Sequence, residues 1–296
     1  MNTDLEVLDT GPLATVQDSG RSGYCDIGVG LSGPADRSSF GIANRLVGNE
    51  SGTAAIEVVF GGLAVRARRP LTVAVAGAEC PARIDGRDVA THSTLRLRTG
   101  SQLHLGTPPT GVRTYLAVRG GIDVAPVLGS RATDVLAGLG PEPLRPGTQL
   151  AVGNNNGALP QIDFAPVAPI PARTITLRVV AGPRDDWFTT AAHDRLCGEP
   201  YSVTTQSDRI GMRLAGPELT RSRADELPSE GMVTGAIQVP PSGQPTLLLA
   251  DHPVTGGYPV IAVVVSTDVD HAAQARPGQT IRFVRASCPG SRTHAR

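Results

Sequence analysis

The segment from Ser229 to Asp268, SEGMVTGAIQVPPSGQPTLLLADHPVTGGYPVIAVVVSTD, gathers the side chains best suited to fixing a small polar molecule. Glu230, Gln238, Gln244, Asp251, Thr255 and Tyr258 lie there between short β-type runs and glycine or proline turns. A backbone that bends at Gly243, Gly256 and Gly257 can approach a ligand closely, and neighbouring amides and carboxylates then orient it. Glu230 and Asp251 are the candidate proton-transfer groups. The competing reading makes all of them turn and cap residues of a β protein, because the same types dominate turns. In a second constellation, Ser207-Asp-Arg-Ile-Gly-Met-Arg, Asp208 stands beside the guanidinium forks of Arg209 and Arg213. Such forks match a carboxylate or phosphate, with an acid at hand; a salt-bridge knot accounts for them equally well. A third, Gln17, Asp18 and Arg21 in TVQDSGR, with Asp36 and Asn44 as orienting groups, reads first as a structural ion pair.

Much other chemistry is excluded. The chain has no lysine, so Schiff-base, P-loop and biotinyl-lysine chemistry are absent from it. No GxSxG elbow occurs, and His252 follows Asp251 directly, where strand neighbours point to opposite faces. No metal-ligand spacing appears, and His92 and His104 read as ordinary strand residues. A formal net charge of 0 argues against nucleic acid or an anionic membrane as partner. The four cysteines, Cys25, Cys80, Cys197 and Cys288, are scattered and read as reduced thiols of a cytoplasmic protein. MNTDLEVLDT lacks the apolar stretch of a signal peptide, and no apolar run reaches membrane-spanning length.

The positioning elements are mostly strands. Glycine (35) and proline (25) punctuate the chain heavily. Between them lie β-branched runs at Leu71 to Val75, Leu95 to Leu97, Leu103 to Leu105, Ile175 to Val179, Leu247 to Leu249, Val260 to Val265 and Ile281 to Val284. Leu95-Arg-Leu and Leu103-His-Leu around TGSQ predict a hairpin. Helices are expected at Ser38 to Leu46, capped by Ser38 or Asp36, and at Asp185 to Leu196.

An internal echo organises these runs. Ala55-Ile-Glu-Val precedes Pro70-Leu-Thr-Val, as Ala236-Ile-Gln-Val precedes Pro245-Thr-Leu-Leu. Leu116-Ala-Val matches Ile261-Ala-Val, and Arg145-Pro-Gly-Thr-Gln-Leu matches Arg276-Pro-Gly-Gln-Thr-Ile. The order is the same each time, which predicts two related β-rich halves divided in the Asn-, Gly- and Pro-rich stretch 153–172. Many short strands per half favour partly closed barrels, which remove exposed sheet edges.

TVQDSGR, GLSGPADRSSFGIANRLVGN, AAIEVVFGG, YLAVRGGI, GSRATD, SDRIGMRL, SEGMVTGAIQVPPSGQP and TGGYPVIAVV occur in one order, from about Leu5 to Val284. In this the chain resembles the biotin-dependent carboxyltransferase-like proteins, a family that includes the C subunits of 5-oxoprolinase and is also called allophanate hydrolase subunit 2 or Kip antagonist. The resemblance implies a mainly β fold of two cyclophilin-like β-barrel domains with short helices. These would occupy 1–160 and 173–286, joined by a linker at 161–172 and followed by a flexible tail at 287–296. It also implies work in a complex with a Kip-inhibitor-type subunit (allophanate hydrolase subunit 1-like) and a LamB/YcsF-type subunit. That complex opens 5-oxo-L-proline to L-glutamate and uses ATP, with no covalent cofactor on this chain. Phosphorylating the amide oxygen makes a poor electrophile hydrolysable, and the developing charge needs arginine or backbone donors.

Relatives fused within urea carboxylase move a carboxyl group from biotin instead, and a purely regulatory antagonist that binds the Kip-inhibitor-type protein is a third reading. The expected site has Glu230, Asp251 and Asp208 as catalytic groups. Arg209, Arg213, Gln238, Gln244, Thr255, Gly256, Gly257 and Tyr258 hold substrate around the same pocket, with no metal. One departure weighs against carboxyl transfer: the usual Gln-Thr-Thr-Gly-Gly-Tyr-Pro-Lys reads Pro253-Val-Thr-Gly-Gly-Tyr-Pro-Val260.

Overall fold

The computed structural model of the chain describes residues 3–223 and 225–286. The tail expected at 287–296, with Cys288, lies outside the described residues. The fold is mainly β and falls into two halves, whose strands run from Leu5 to Val152 and from Thr174 to Arg285.

The first half is a pair of sheets around one core. A seven-stranded sheet carries, in spatial order, Ile122–Asp123, Gln149–Val152, Leu5–Thr10, Leu63–Ala67, Gln102–Leu105, Ala82–Ile84 and Arg87–Val89. A five-stranded sheet carries Leu13–Gln17, Ala55–Val59, Arg113–Val118, Leu71–Gly77 and Thr94–Leu97. Alternation along Ala55–Val59 explains how a charged residue comes to sit inside. Ile56 and Val58 face the core between the sheets, while Ala55 packs on the other face with Ala74, Ala76, Tyr115 and Ala117. The alanines let the helix α1 (Arg37–Leu46) lie close, with Phe40, Ala43 and Leu46 pressed against them and Tyr115. Glu57 shares the Ala55 face and is directed to the edge of α1, opposite Tyr115 in the ladder.

The second half closes into a barrel of seven strands, in the order Thr174–Ala181, Val260–Val264, Ala236–Gln238, Thr246–Leu248, Gly211–Ala215, Tyr201–Val203 and Thr280–Arg285. Closure leaves no free edge. Its core includes Ile281, Phe283, Leu247 and Ile237, all fully buried, and each contributes about 2–3 kcal/mol of apolar burial.

The internal echo is structural in the central strands. Ala55–Val59 pairs antiparallel with Arg113–Val118, and Ala236–Gln238 pairs antiparallel with Val260–Val264. It fails at the terminal strand. Gln149–Val152 runs antiparallel to Leu5–Thr10, whereas Thr280–Arg285 runs parallel to Thr174–Ala181.

Two local expectations are corrected. Leu95-Arg-Leu and Leu103-His-Leu do not form a hairpin: Thr94–Leu97 pairs with Leu71–Gly77, and Gln102–Leu105 pairs with Leu63–Ala67 in the other sheet. The TGSQ turn crosses between sheets because Leu97 and Leu103 both enter the core between them. The helix expected from Asp185 is interrupted. A 3-10 turn, Asp185–Trp187, stops at Phe188, which is extended (φ −119°, ψ 153°), and α2 (Thr190–Gly198) starts anew from the Thr189 cap. A further helix, α3 (Ser266–Ala272), follows the strand Val260–Val264. Helix α1 begins where expected, with Asp36 Oδ1 accepting from Ser39 N at 2.9 Å.

The halves are joined by polar contacts that replace missing backbone partners. Asp270 of α3 accepts from Arg37 N (3.0 Å) and Ser38 N (3.2 Å), placing a carboxylate at the positive end of α1. Gln274 accepts from Val112 N (2.9 Å) and Arg113 N (2.8 Å) and donates to Asp36 Oδ2 (2.7 Å).

Candidate functional site

The expected site residues separate into two groups and a remainder. The first group lies on the seam between the halves. Arg209 is 2% exposed, in the turn before Gly211–Ala215. Its Nε donates to Asp251 Oδ2 at 2.8 Å and its Nη2 to Asp251 Oδ1 at 2.9 Å, a bidentate pair. Nη2 also donates to Gly33 O at 2.6 Å, and Nη1 donates to Glu57 Oε1. Asp251 is saturated in turn, accepting from Ser32 Oγ (2.7 Å) and Val135 N (3.1 Å) as well. Glu57 Oε2 takes Tyr115 Oη (2.7 Å) and Ala35 N (2.9 Å), and Arg113 Nε stands 3.6 Å from Oε1.

Burial alone pushes the Glu57 carboxyl up, but Arg209 and Arg113 with these hydrogen bonds hold it below the usual carboxylate range. Burial and then the neighbouring Glu57 and Asp36 carboxylates drive the Tyr115 phenol well above its ordinary value. The result is a buried quartet, two carboxylates and two guanidiniums, with balanced charge. Arg209 therefore has its fork filled from within and does not offer it to an incoming carboxylate. Four donors around Asp251 leave its oxygens occupied, so the quartet holds the halves in register.

A cavity of about 310 Å³ opens beside the quartet, lined by Arg113, Arg209, Ser207 and Asp208 among apolar side chains of both halves.

The second group lies on an open face of the second half, at one end of the barrel. The short strands Glu230–Gly231 and Thr255–Gly256 pair antiparallel, placing Glu230 opposite Gly256. Arg184, just after Thr174–Ala181, grips Glu230 through Nε (2.8 and 3.0 Å to the two oxygens) and through Nη2. Hydrogen bonding from Arg184 holds the Glu230 carboxyl below its ordinary range, so Glu230 is an ionised base. Gln238 donates to Tyr258 O at 3.2 Å and touches Met232 Sδ at 3.2 Å. Gly256 leaves room for this approach: a Cβ there would lie 2.5 Å from Gln238 Nε2 and displace the amide. Tyr258 is 47% exposed, and the Arg221 guanidinium sits 6.0 Å from its ring centroid. Arg221 Nη2 donates to Val239 O, while its buried Nε has no partner. Thr255 and Gly257 are exposed beside them. Two guanidiniums, a carboxylate and a phenol thus lie together on this face, with the Gln238 amide beneath them and the Arg184 fork filled by Glu230.

The remaining residues serve the barrel. Asp208 is exposed and caps its own turn, accepting from Ile210 N (2.7 Å) and Gly211 N (3.0 Å). Arg213 points outward from Gly211–Ala215. Gln244 clips the Gly216 backbone, accepting from its N (2.9 Å) and donating to its O (3.1 Å). The single pocket expected for all these residues is therefore not what the fold builds. Asp208 borders the seam cavity, Gln244 is spent on a turn, and the two principal groups face different surroundings.

Sequence reasoning missed Glu57, Arg113, Arg184 and Arg221. Glu57 carried a signal, an acid inside the otherwise apolar run Ala55-Ile-Glu-Val-Val. Arg184 and Arg221 sit in polar turns, PRDD and TRSR, that look like solvated surface. The TVQDSGR turn also differs from its expected ion pair. Asp18 accepts from Ser130 Oγ (2.6 Å) and Arg131 N (2.6 Å), and the buried Arg21 donates to Ala132 O instead.

Comparison with known proteins places this geometry. The chain is 38% identical to the C subunit of 5-oxoprolinase from Escherichia coli (strain K12), over 96% of this chain and 91% of that one. It is 33% identical to urea amidolyase of Saccharomyces cerevisiae, over 98% of this chain but 17% of that much longer protein. The crystal structure of TTHA0988 superposes with a TM-score of 0.87 at 36% identity, covering 95% of this chain and 56% of that one. Residues 27–285 match the family described as carboxyltransferase domain, subdomain A and B, and the chain belongs to that family.

Proposed function

We propose that this chain is the C subunit of a multi-subunit, ATP-dependent 5-oxoprolinase that opens 5-oxo-L-proline to L-glutamate. The observation that carries this reading is the 38% identity to a 5-oxoprolinase C subunit along 96% of the chain. The partners are a Kip-inhibitor-type subunit and a LamB/YcsF-type subunit, and the complex, soluble in the cytoplasm, consumes the ATP.

The open face of the second half suits an obligatory subunit. Glu230, Arg184, Arg221, Thr255 and Tyr258 stand on a surface, with Gln238 buried beneath Tyr258, so water is excluded only when a partner covers them. In that assembly the Arg221 guanidinium, beside the Tyr258 ring, takes the carboxylate or phosphorylated oxygen of the substrate. Glu230, freed from Arg184, moves the proton, and the Thr255-Gly-Gly turn brings backbone close.

The alternative, biotin-dependent carboxyl transfer, has the urea amidolyase likeness in its favour. Against it, the position of the usual lysine is Val260, 3% exposed and packed with Met232, Ala236 and Leu248, where an ammonium has no partner. Regulation by binding the Kip-inhibitor-type protein alone requires no chemistry on the open face.

The test is ATP-dependent glutamate release from 5-oxoproline by this chain alone and by the co-purified three-subunit complex. Turnover in the complex only is expected. Tyr258→Ala, at a side chain half in solvent, should lower turnover about 10-fold or more with the melting temperature unchanged. A stable complex without turnover would overturn the oxoprolinase reading, and unaltered turnover in Tyr258→Ala would remove the open face from the reaction.

A further inference from the structure

A groove of about 520 Å³ crosses the surface where the connecting stretch enters the second half. Its walls come from three separate parts of the chain, around Pro109, Pro171 and Pro277, and hydrogen bonds fasten them together. Gln279 Nε2 donates to Pro171 O at 2.6 Å, and Thr280 N donates to Arg173 O at 3.0 Å. Gln279 Oε1 accepts from Arg276 N at 3.0 Å and closes the turn through Gly278 (φ 84°). The shape of the groove is thus set before anything enters it.

Two guanidiniums stand in this groove without a counter-charge. Arg276 is held from two sides: Nη1 donates to Pro109 O at 2.7 Å, and the guanidinium carbon lies 5.2 Å from the Phe60 ring centroid. Its Nε and Nη2 have no partner among the described residues. Arg173 is exposed, and its side chain makes no hydrogen bond among the described residues. Neither arginine forms an ion pair there, although acidic and basic residues are equal in number along the chain. No acidic side chain lines the groove, so its potential is positive.

The rest of the wall decides which anion fits. A free phosphate is best held by several backbone N–H groups converging on it. Here three wall positions are proline, which has no N–H, and Gly278 N is engaged by Val203 O at 2.8 Å. Exposed pyrrolidine rings instead offer apolar contact to an extended peptide, whose carboxylates reach the guanidinium forks. Residues 1–2, 224 and 287–296 contain no Asp or Glu, so the carboxylates do not come from this chain's own remaining segments. We infer that the groove is a docking site for an extended acidic segment of a partner polypeptide, gripped by Arg173 and Arg276.

This goes beyond the oxoprolinase reading, because docking needs no ATP, no substrate and no group of the open face. Fluorescence anisotropy on the whole chain tests it with a fluorescein-labelled hexapeptide alternating glutamate and proline. The same peptide with glutamine for glutamate is the neutral control. In about 50 mM salt the acidic peptide should bind about 10-fold more tightly, and about 300 mM salt should largely remove the preference. Arg173→Glu should weaken the acidic peptide about 10-fold or more, because it sets like charges face to face, with the melting temperature preserved. Arg276→Gln should weaken it as well. Arg87→Glu, on an exposed strand of the first half, makes the same change in net charge and should leave the affinity unchanged. No binding of the acidic peptide, equal binding of the two peptides, or equal losses in Arg173→Glu and Arg87→Glu would overturn the inference. Displacement of the peptide by inorganic phosphate at an equal concentration would assign the groove to small anions and also overturn it. So would self-association of the chain that Arg173→Glu abolishes, since a second copy would then be the occupant. Oxoproline turnover by the complex alongside any of these results would leave that reading intact.

Discussion

Replacing Arg209 by Met tests the role of the buried quartet. The substitution keeps most of the side-chain volume but leaves Glu57 and Asp251, both at 0% side-chain exposure, with Arg113 as their sole cationic partner. The charge goes from two against two to two against one. Breaking a buried pair from one side costs about 3–5 kcal/mol, because an uncompensated charge stays inside. At roughly 2–4 °C per kcal/mol, the melting temperature should fall by about 10 °C.

Glu57→Gln alone inverts the imbalance to one against two and should cost about as much. The double variant Arg209→Met with Glu57→Gln returns to one against one, so its loss should be smaller than the sum by roughly 1.5 kcal/mol or more. Urea unfolding followed by the fluorescence of Trp187, the single tryptophan, and by circular dichroism measures all four proteins.

Acid supplies an internal check. Glu57 is held below its ordinary 4.5 in the folded chain, so its contribution is fully present above that value and is lost as pH falls through the lower folded one. The gap between wild type and Glu57→Gln should therefore shrink as the solution is acidified below pH 4.5. Additive losses in the double variant, or a pH-independent gap, would refute the view that this network binds the halves electrostatically.

Two further outcomes follow from single positions. Gly256→Ala places a methyl group 2.5 Å from Gln238 Nε2, so the Gln238 amide must swing off Tyr258 O, costing about 1 kcal/mol for the lost hydrogen bond and lowering activity of the complex; equal stability and turnover would show that the close approach is unnecessary. Burial raises the Cys80 thiol to about 11, whereas Cys25 is exposed. Iodoacetamide at pH 8, read by peptide mass spectrometry, should label Cys25 at least 100-fold faster than Cys80, and comparable rates would mean that the first-half core opens readily.

The fold was legible where its signals are local or periodic. The β-branched runs became strands, Asp36 capped α1, and the shared order of Ala55-Ile-Glu-Val and Ala236-Ile-Gln-Val marked two halves with the same central pairing. What was illegible depends on contacts across long separations. The TGSQ turn has hairpin chemistry, yet the sheet chosen by each flanking strand is settled by Leu97 and Leu103 meeting the same core. The site was half legible for the same reason. Glu230, Gln238 and the Thr255-Gly-Gly-Tyr turn are near in sequence, and short strand pairing brings them together. Arg209 reads locally as a free fork, and distant residues fill it: Asp251, 42 residues later, and Glu57, 152 residues earlier. Residue type identifies a group capable of chemistry; its occupancy is a property of the distant chain.

Glu57 and Gln238 occupy matching places in the two repeats, each the third residue of its Ala-Ile-Glu or Ala-Ile-Gln run. One is sealed between the halves and the other stands behind a solvent-facing tyrosine. After a duplication, the two copies of such a position come under different selection. The inner copy is tied to a partner arginine and can change only in concert with it. The outer copy answers to whatever docks on the exposed face, and can drift as that partner drifts. Specialisation among members of this family is thus expected to accumulate in the second repeat, with the first acting as its anchor.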